Sequence, residues 1–71
     1  MSNEELKEAL INQRPIIANF PLIGEIEYAY VSAIVYRRNT IGAIYPVAEI
    51  MDKCLNSVTQ IDPKHIQYKE G

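Results

Sequence analysis

The chain has 71 residues, of which 48% are hydrophobic and 23% charged, and its net charge is −2. This length and composition exclude a disordered chain and predict one small soluble domain with a thin core. The negative charge disfavours general attraction to nucleic-acid phosphates. The single cysteine, Cys54, excludes an intramolecular disulfide and a cysteine-based zinc cluster, and therefore favours a reducing, intracellular setting.

The first twenty residues open with acids and contain neither a basic region nor a long apolar run. This pattern is not that of a signal peptide or a membrane anchor. We therefore expect a cytoplasmic protein that makes no membrane contact.

The amino-terminal segment carries the signals of a helix. Ser2 and Glu5 have the spacing of a capping box, in which each side chain bonds to the backbone N–H of the other. Pro15 disfavours a helical conformation in the residue before it and should end the helix. The sequence therefore predicts a helix over residues 3–13.

The apolar residues of this helix form one narrow stripe. Leu6, Ala9 and Leu10 recur at spacings of three and four, which places them on one face. A free helix of about eleven residues is marginal in water. We therefore expect Leu6 and Leu10 to dock on the rest of the chain.

From Pro15 onward the hydrophobic period changes to two, and β-branched and aromatic residues dominate. The short connections between segments predict antiparallel hairpins. Asn39 can take a positive φ and Gly42 can form a bulge in the tightest turn, while Pro46 predicts an edge position or a bulge. The four predicted strands lie in PIIANF, EIEYAYVSAIVYRR, IGAIYPVAEIMDK and NSVTQID.

The carboxyl-terminal segment predicts a short turn and a last strand. Asp62 before Pro63 is typical of an N-cap for one 3₁₀ turn over PKHI, and QYKE can then pair as a fifth strand. Five short, bent strands with such a turn before the fifth resemble the SH3-like small barrel over about residues 15–70, here with an added helix at 3–13. The chain is also similar in general style to small uncharacterised proteins of bacteria and their phages.

These observations predict a single domain over residues 1–71 with a mainly β fold. An amino-terminal helix is followed by a small, strongly bent antiparallel sheet or an SH3-like barrel of about five strands. We expect the sheet or barrel to occupy residues 15–70.

The longest predicted strand, residues 25–38, has no plainly polar face. Strict alternation places Tyr28, Tyr30, Tyr36 and Arg38 on one side and mostly small residues on the other. A strand without a polar side is expected to be covered on both sides. The cover of the tyrosine face can be the helix and cross-strand neighbours, a partner or second copy, or nucleobases stacked on the tyrosines.

No group of residues predicts an enzyme. His65 is the only histidine and has no evident partner for catalysis or metal binding. Cys54 lies in a predicted turn, and Glu49, Asp52 and Asp62 lie on separate strands and turns with no spacing that makes them converge. We therefore predict no catalytic residue, cofactor, metal or small-molecule substrate.

The functional prediction is a non-enzymatic interaction module that acts through protein–protein contact. Its apolar faces exceed what one thin barrel can bury, which predicts a protein partner or a homodimer. The predicted interaction surface contains Tyr28, Tyr30, Tyr36 and Arg38. The alternative is a nucleic-acid-binding accessory protein that uses the same tyrosine and arginine face, which the net negative charge disfavours.

Overall fold

The computed structural model describes residues 1–70. These residues form two three-stranded antiparallel sheets, in the orders β2-β1-β6 and β3-β4-β5, together with one helix and a 3₁₀ turn at Pro63–His65. The predicted mainly β fold with an amino-terminal helix is confirmed, although within residues 1–70 the sheets do not close into a barrel. The elements are α1 (Asn3–Asn12), β1 (Ile16–Phe20), β2 (Gly24–Tyr28), β3 (Tyr30–Arg38), β4 (Ile44–Met51), β5 (Val58–Ile61) and β6 (Ile66–Tyr68).

Helix α1 begins where the capping box predicts. The Ser2 hydroxyl accepts a hydrogen bond from the Glu5 N–H at 3.2 Å, and Glu5 Oε1 accepts one from the Ser2 N–H at 3.1 Å. The helix ends at Asn12, one residue earlier than predicted, because Gln13 adopts the left-handed conformation with φ 51°. No helix among the described residues is long and apolar enough to span a bilayer.

The apolar stripe of α1 packs against β3 and the rest of the core. Leu6 is 1% exposed and Ala9 is fully buried, whereas Leu10 is half-buried and packs at the margin of the core. Burying a leucine side chain contributes roughly 1.5–3 kcal/mol. The predicted docking of the helix is confirmed, with Ala9 more deeply buried than Leu10.

The predicted hairpins pair as antiparallel neighbours, β1 with β2, β3 with β4, and β4 with β5. Strand β6 returns to pair with β1, with Ile16 opposite Tyr68. Pro46 lies in β4 opposite Tyr36, whereas β5 pairs only with the Ala48–Met51 part of β4. Strand β4 therefore has a neighbour on one side only at Pro46, which is the local edge position that a proline requires.

The turn between β3 and β4 differs from the prediction at Asn39. Gly42 has φ 86°, as a left-handed turn position requires, but Asn39 does not adopt a positive φ. Its side-chain Oδ1 instead accepts hydrogen bonds from the N–H groups of Ile41 at 3.1 Å and Ala43 at 3.0 Å. Asn39 therefore orders the turn as a hydrogen-bond acceptor.

The predicted continuous strand over residues 25–38 is divided into β2 and β3. A bend at Ala29 separates them, and a register shift follows between Val31 and Ala33. Each irregularity displaces the alternation of side chains by one residue. Tyr28 and Val31, which strict alternation places on opposite faces, are therefore both buried. The prediction of two uninterrupted faces is wrong.

The core is small, as the length of the chain predicts. It combines residues from α1 and from both sheets, and none of the buried residues among those described is polar or charged. The largest fully buried side chains come from the helix and from three different strands. The buried hydrophobic residues that form the core cluster are Leu6, Ala9, Ile16, Ala18, Tyr28, Val31, Ala48, Ile50 and Ile66.

Candidate interaction surface

The turn end of the β3–β4 hairpin extends beyond the core. We call residues 36–46 the hairpin arm. Ala48 is the last buried residue of β4 on the way to the arm, and it pairs with Ile34 of β3. Every arm residue is exposed except Gly42 and Pro46, which are half-buried. Because β5 ends opposite Ala48, the arm is a two-stranded ribbon.

One side of the hairpin arm continues the core-facing side of the hairpin. Residues opposite each other in an antiparallel pair point to the same side, and every second pair shares that side. Near the body of the protein this side of the hairpin faces the core, and Ala48 on it is buried. On the arm the same side is uncovered, with Tyr36 63% exposed and Ile44 71% exposed. The pairs on this side, from the core outward, are Ile34 with Ala48, Tyr36 with Pro46, and Arg38 with Ile44.

The opposite side of the hairpin arm carries Arg37 and Tyr45, which pair across the two strands. The Arg37 guanidinium donates a hydrogen bond to Gln60 Oε1 of β5. Tyr45 is 41% exposed. Both sides of the arm therefore combine an aromatic residue with an arginine.

The charge of the hairpin arm is opposite to that of the rest of the chain. The arm contains two arginines and no acid, so the rest of a chain with net charge −2 carries a net −4. Among the described residues, neither Arg37 nor Arg38 forms an ion pair with a carboxylate. Nη2 of Arg38 lies 3.3 Å from the position that a Cβ on Gly42 would take, so this guanidinium folds along the turn.

The four predicted interaction residues do not share one surface. Tyr28 is 8% exposed and belongs to the core, where its ring centroid lies 6.3 Å from that of Phe20. Tyr30 is half-buried on the far side of the bend. Tyr36 and Arg38 lie together on the hairpin arm.

The sequence analysis predicted the strand that contains Ile44 and Tyr45 but did not assign these two residues to the interaction surface. Ile44 and Tyr45 lie directly across from Arg38 and Arg37 in the hairpin. The sequence did contain a signal for this surface. Residues 35–48 contain no acid, and arginines and large apolar residues lie on the two sides of the predicted turn.

A concave surface lies between α1, β1 and β6. This groove has a volume of about 510 Å³ and is lined by Glu5, Ile17, Gln67, Tyr68 and Glu70. The Tyr68 hydroxyl donates a hydrogen bond to the Glu5 carbonyl oxygen at 3.2 Å, which fixes the ring beside the first turn of α1. The groove thus combines two residues with apolar surface, Ile17 and Tyr68, with two acidic residues, Glu5 and Glu70.

The titratable residues that line the groove are Glu5, Tyr68 and Glu70. Hydrogen bonds from the backbone N–H and the hydroxyl of Ser2 hold the pKa of Glu5 below its usual range. Burial raises the pKa of the Tyr68 hydroxyl, and the nearby Glu8 carboxylate raises it further. Within residues 1–70, neither Glu5 nor Glu70 forms an ion pair with a basic side chain.

Positive charge beside the groove is already engaged. Arg14 stacks over the Tyr68 ring, with its Cζ 3.9 Å from the ring centroid, and approaches Glu8 at 3.8 Å. Lys69 forms an ion pair with Glu27 at 2.6 Å, and Lys53 forms a second ion pair with Glu27 at 2.9 Å. Neither Arg14 nor Lys69 therefore forms an ion pair with Glu5 or Glu70 in the part of the chain that the structure describes.

Cys54 and the three acidic residues in which the sequence predicted no catalytic role do not all lie on one element, and each acid accepts a hydrogen bond. Cys54 is free and exposed. Glu49 accepts a hydrogen bond from a serine hydroxyl at 2.9 Å, Asp52 accepts one from another serine hydroxyl at 2.6 Å, and Asp62 accepts one from a backbone N–H at 3.0 Å. In residues 1–70 no group of three His, Cys, Asp or Glu residues could hold a metal ion.

Comparison of the chain with protein-family models, curated proteins and solved structures finds no match.

Proposed function

We propose that this chain is a non-enzymatic interaction module that acts through protein–protein contact, with the hairpin arm as its docking surface. The observation that carries the proposal is the exposure of Tyr36 and Ile44, 63% and 71%, on the side of the hairpin that faces the core further inward. Covering a large apolar side chain contributes roughly 1.5–3 kcal/mol. A partner that covers this side of the arm gains that free energy.

The turn of the hairpin arm supports this role because it is ordered before any partner binds. The Asn39 side chain holds two backbone N–H groups, and the backbone of Asn39 also exchanges hydrogen bonds with Gly42 and Ala43. A surface that is already ordered loses less conformational entropy on binding. The arm is therefore suited to docking as a preformed ribbon.

A nucleic-acid accessory role is the second candidate. It is favoured by the exposed arginines of the hairpin arm, which have no carboxylate partner among the described residues, and by the fit of a two-stranded ribbon to the major groove of DNA. The net charge of −4 on the rest of the chain opposes it. A nucleic acid longer than the arm would approach this part of the protein, whose negative charge repels phosphates. Protein contact is therefore the better supported proposal.

Site-specific photocrosslinking tests the proposal. A benzophenone amino acid replaces Tyr36 in one variant and Ile11, which is 78% exposed on α1, in a matched control. In cells that produce the chain, we expect protein adducts of defined mass from position 36 that are absent from position 11. Adducts that nuclease removes would favour the nucleic-acid role. Equal adduct patterns from the two positions would contradict docking through the arm.

A further inference from the structure

We infer that the hairpin arm of one copy of this chain docks into the groove between α1, β1 and β6 of a second copy. This inference rests on the proposed function and names its partner. It joins two surfaces of the described chain, the projecting arm and the groove that Glu5 and Glu70 line.

The first argument is charge complementarity. The hairpin arm carries Arg37 and Arg38 without an acid, whereas Glu5 and Glu70 line the groove and form no ion pair with a basic side chain among the described residues. Opposite charges across an interface raise the association rate and fix the relative orientation of the partners. In a pair of identical chains, the acidic residues of one copy's groove can therefore face the arginines of the other copy's arm.

The second argument is the match of apolar surface. Tyr36 and Ile44 project from the hairpin arm, and Ile17 and Tyr68 contribute apolar surface to the groove. Interfaces typically bury such aromatic and aliphatic residues at their centre and keep charges at the rim. The arm and the groove each have this combination.

Reciprocal docking gives a closed pair. Each copy then inserts its hairpin arm into the groove of the other, and the two contacts are related by a twofold axis. The alternative, in which two arms meet through their Tyr36 sides, brings Arg38 of one copy toward Arg38 of the other. Like charges across an interface oppose association. The exchange between arm and groove therefore replaces the predicted pairing of two tyrosine faces.

Charge-swap variants test this inference by analytical ultracentrifugation from micromolar to millimolar concentration. Arg38→Glu reverses charge on the hairpin arm, and Glu70→Lys reverses charge at the groove. We expect each variant alone to associate at least about tenfold more weakly than the unchanged chain. A mixture of the two should associate again, because each arm then meets a groove of opposite charge.

Matched controls make the same charge changes on exposed residues outside both surfaces. Lys64→Glu corresponds to Arg38→Glu, and Glu25→Lys corresponds to Glu70→Lys. We expect both controls to associate like the unchanged chain. Raising the salt concentration from about 0.05 M to about 0.5 M should weaken the unchanged pair, since screening shortens the range of its charge interactions.

Three results would overturn the inference. A monomer mass at every concentration would remove the second copy as partner and leave the proposed function to the crosslinking experiment. A dimer that tolerates both charge swaps would place the contact elsewhere. Salt-dependent binding of a labelled DNA duplex that Arg38→Glu abolishes would make nucleic acid the occupant of the arm, and with no protein adduct from position 36 it would also refute the proposed function.

Discussion

Replacing Leu6 by Ala tests how the helix contributes to the fold. The side chain is 1% exposed and lies among residues of α1 and both sheets, so the change removes a whole buried side chain and leaves a cavity. Such substitutions cost about 2–5 kcal/mol. The helix propensity of alanine is as good as that of leucine, so the loss reports packing rather than helix formation.

The expected loss is large relative to the total stability. At 0.05–0.15 kcal/mol per residue, a domain of this size has a free energy of unfolding of roughly 4–11 kcal/mol. Each kcal/mol corresponds to about 4–8 °C in melting temperature for a domain of this length. Leu6→Ala should therefore lower the melting temperature by at least about 8 °C.

Urea denaturation followed by circular dichroism measures this change. Ile11→Ala is the control, because Ile11 lies on the same helix and is 78% exposed. The control should remain within about 0.5 kcal/mol of the unchanged chain. Leu10→Ala should fall between the two, since Leu10 is half-buried. Equal stabilities for Leu6→Ala and Ile11→Ala would refute the docking of α1.

Three further predictions concern single positions. Cys54→Ser should change the free energy of unfolding by less than about 0.5 kcal/mol, because the thiol is exposed and free; a loss several times larger in urea denaturation would contradict this. Gly42→Ala should cost about 1–2 kcal/mol in the same assay, because φ is 86° and a Cβ there meets Arg38; an unchanged midpoint would show that the turn relaxes. Lys69 and Lys53 hold the pKa of Glu27 below its usual range. These ion pairs therefore stabilise the fold at pH values above the pKa of Glu27 in the unfolded chain, about 4.3. The stabilisation is lost as the pH falls through the lower pKa of Glu27 in the folded chain. Glu27→Gln should therefore lower the melting temperature more at neutral pH than near pH 3, and equal decreases at both would contradict this.

The parts of the fold that depend on nearby residues could be predicted from the sequence. Ser2 and Glu5 determine the start of the helix, and Asp62 caps the 3₁₀ turn by accepting a hydrogen bond from the Lys64 N–H. Short connections determine which strands pair as hairpins. These features need only residues within a few positions of one another, so a single sequence contains the information.

The bend and the register shift in residues 25–38 could not be predicted in this way. Neither Ala29 nor Ser32 is a glycine or proline that signals a break. The Ala29 N–H donates a hydrogen bond to the carbonyl oxygen of Met51, at the far end of β4, and the Ser32 hydroxyl donates to the carbonyl oxygen of Glu49. These bonds join residues distant in sequence, so the position of the irregularities depends on the assembled sheets.

The hairpin arm is uncovered because α1 and β5 are shorter than the strands of the hairpin, and these lengths can be estimated from the sequence. A helix of ten residues is about 15 Å long, at 1.5 Å per residue, whereas the nine residues of β3 extend over about 30 Å. The helix can therefore cover only about half of β3, and the four residues of β5 leave the other half of β4 with β3 as its one neighbouring strand. The uncovered part is the arm. Tyr36 and Ile44 lie on this uncovered part, so their exposed apolar surface is available to a partner.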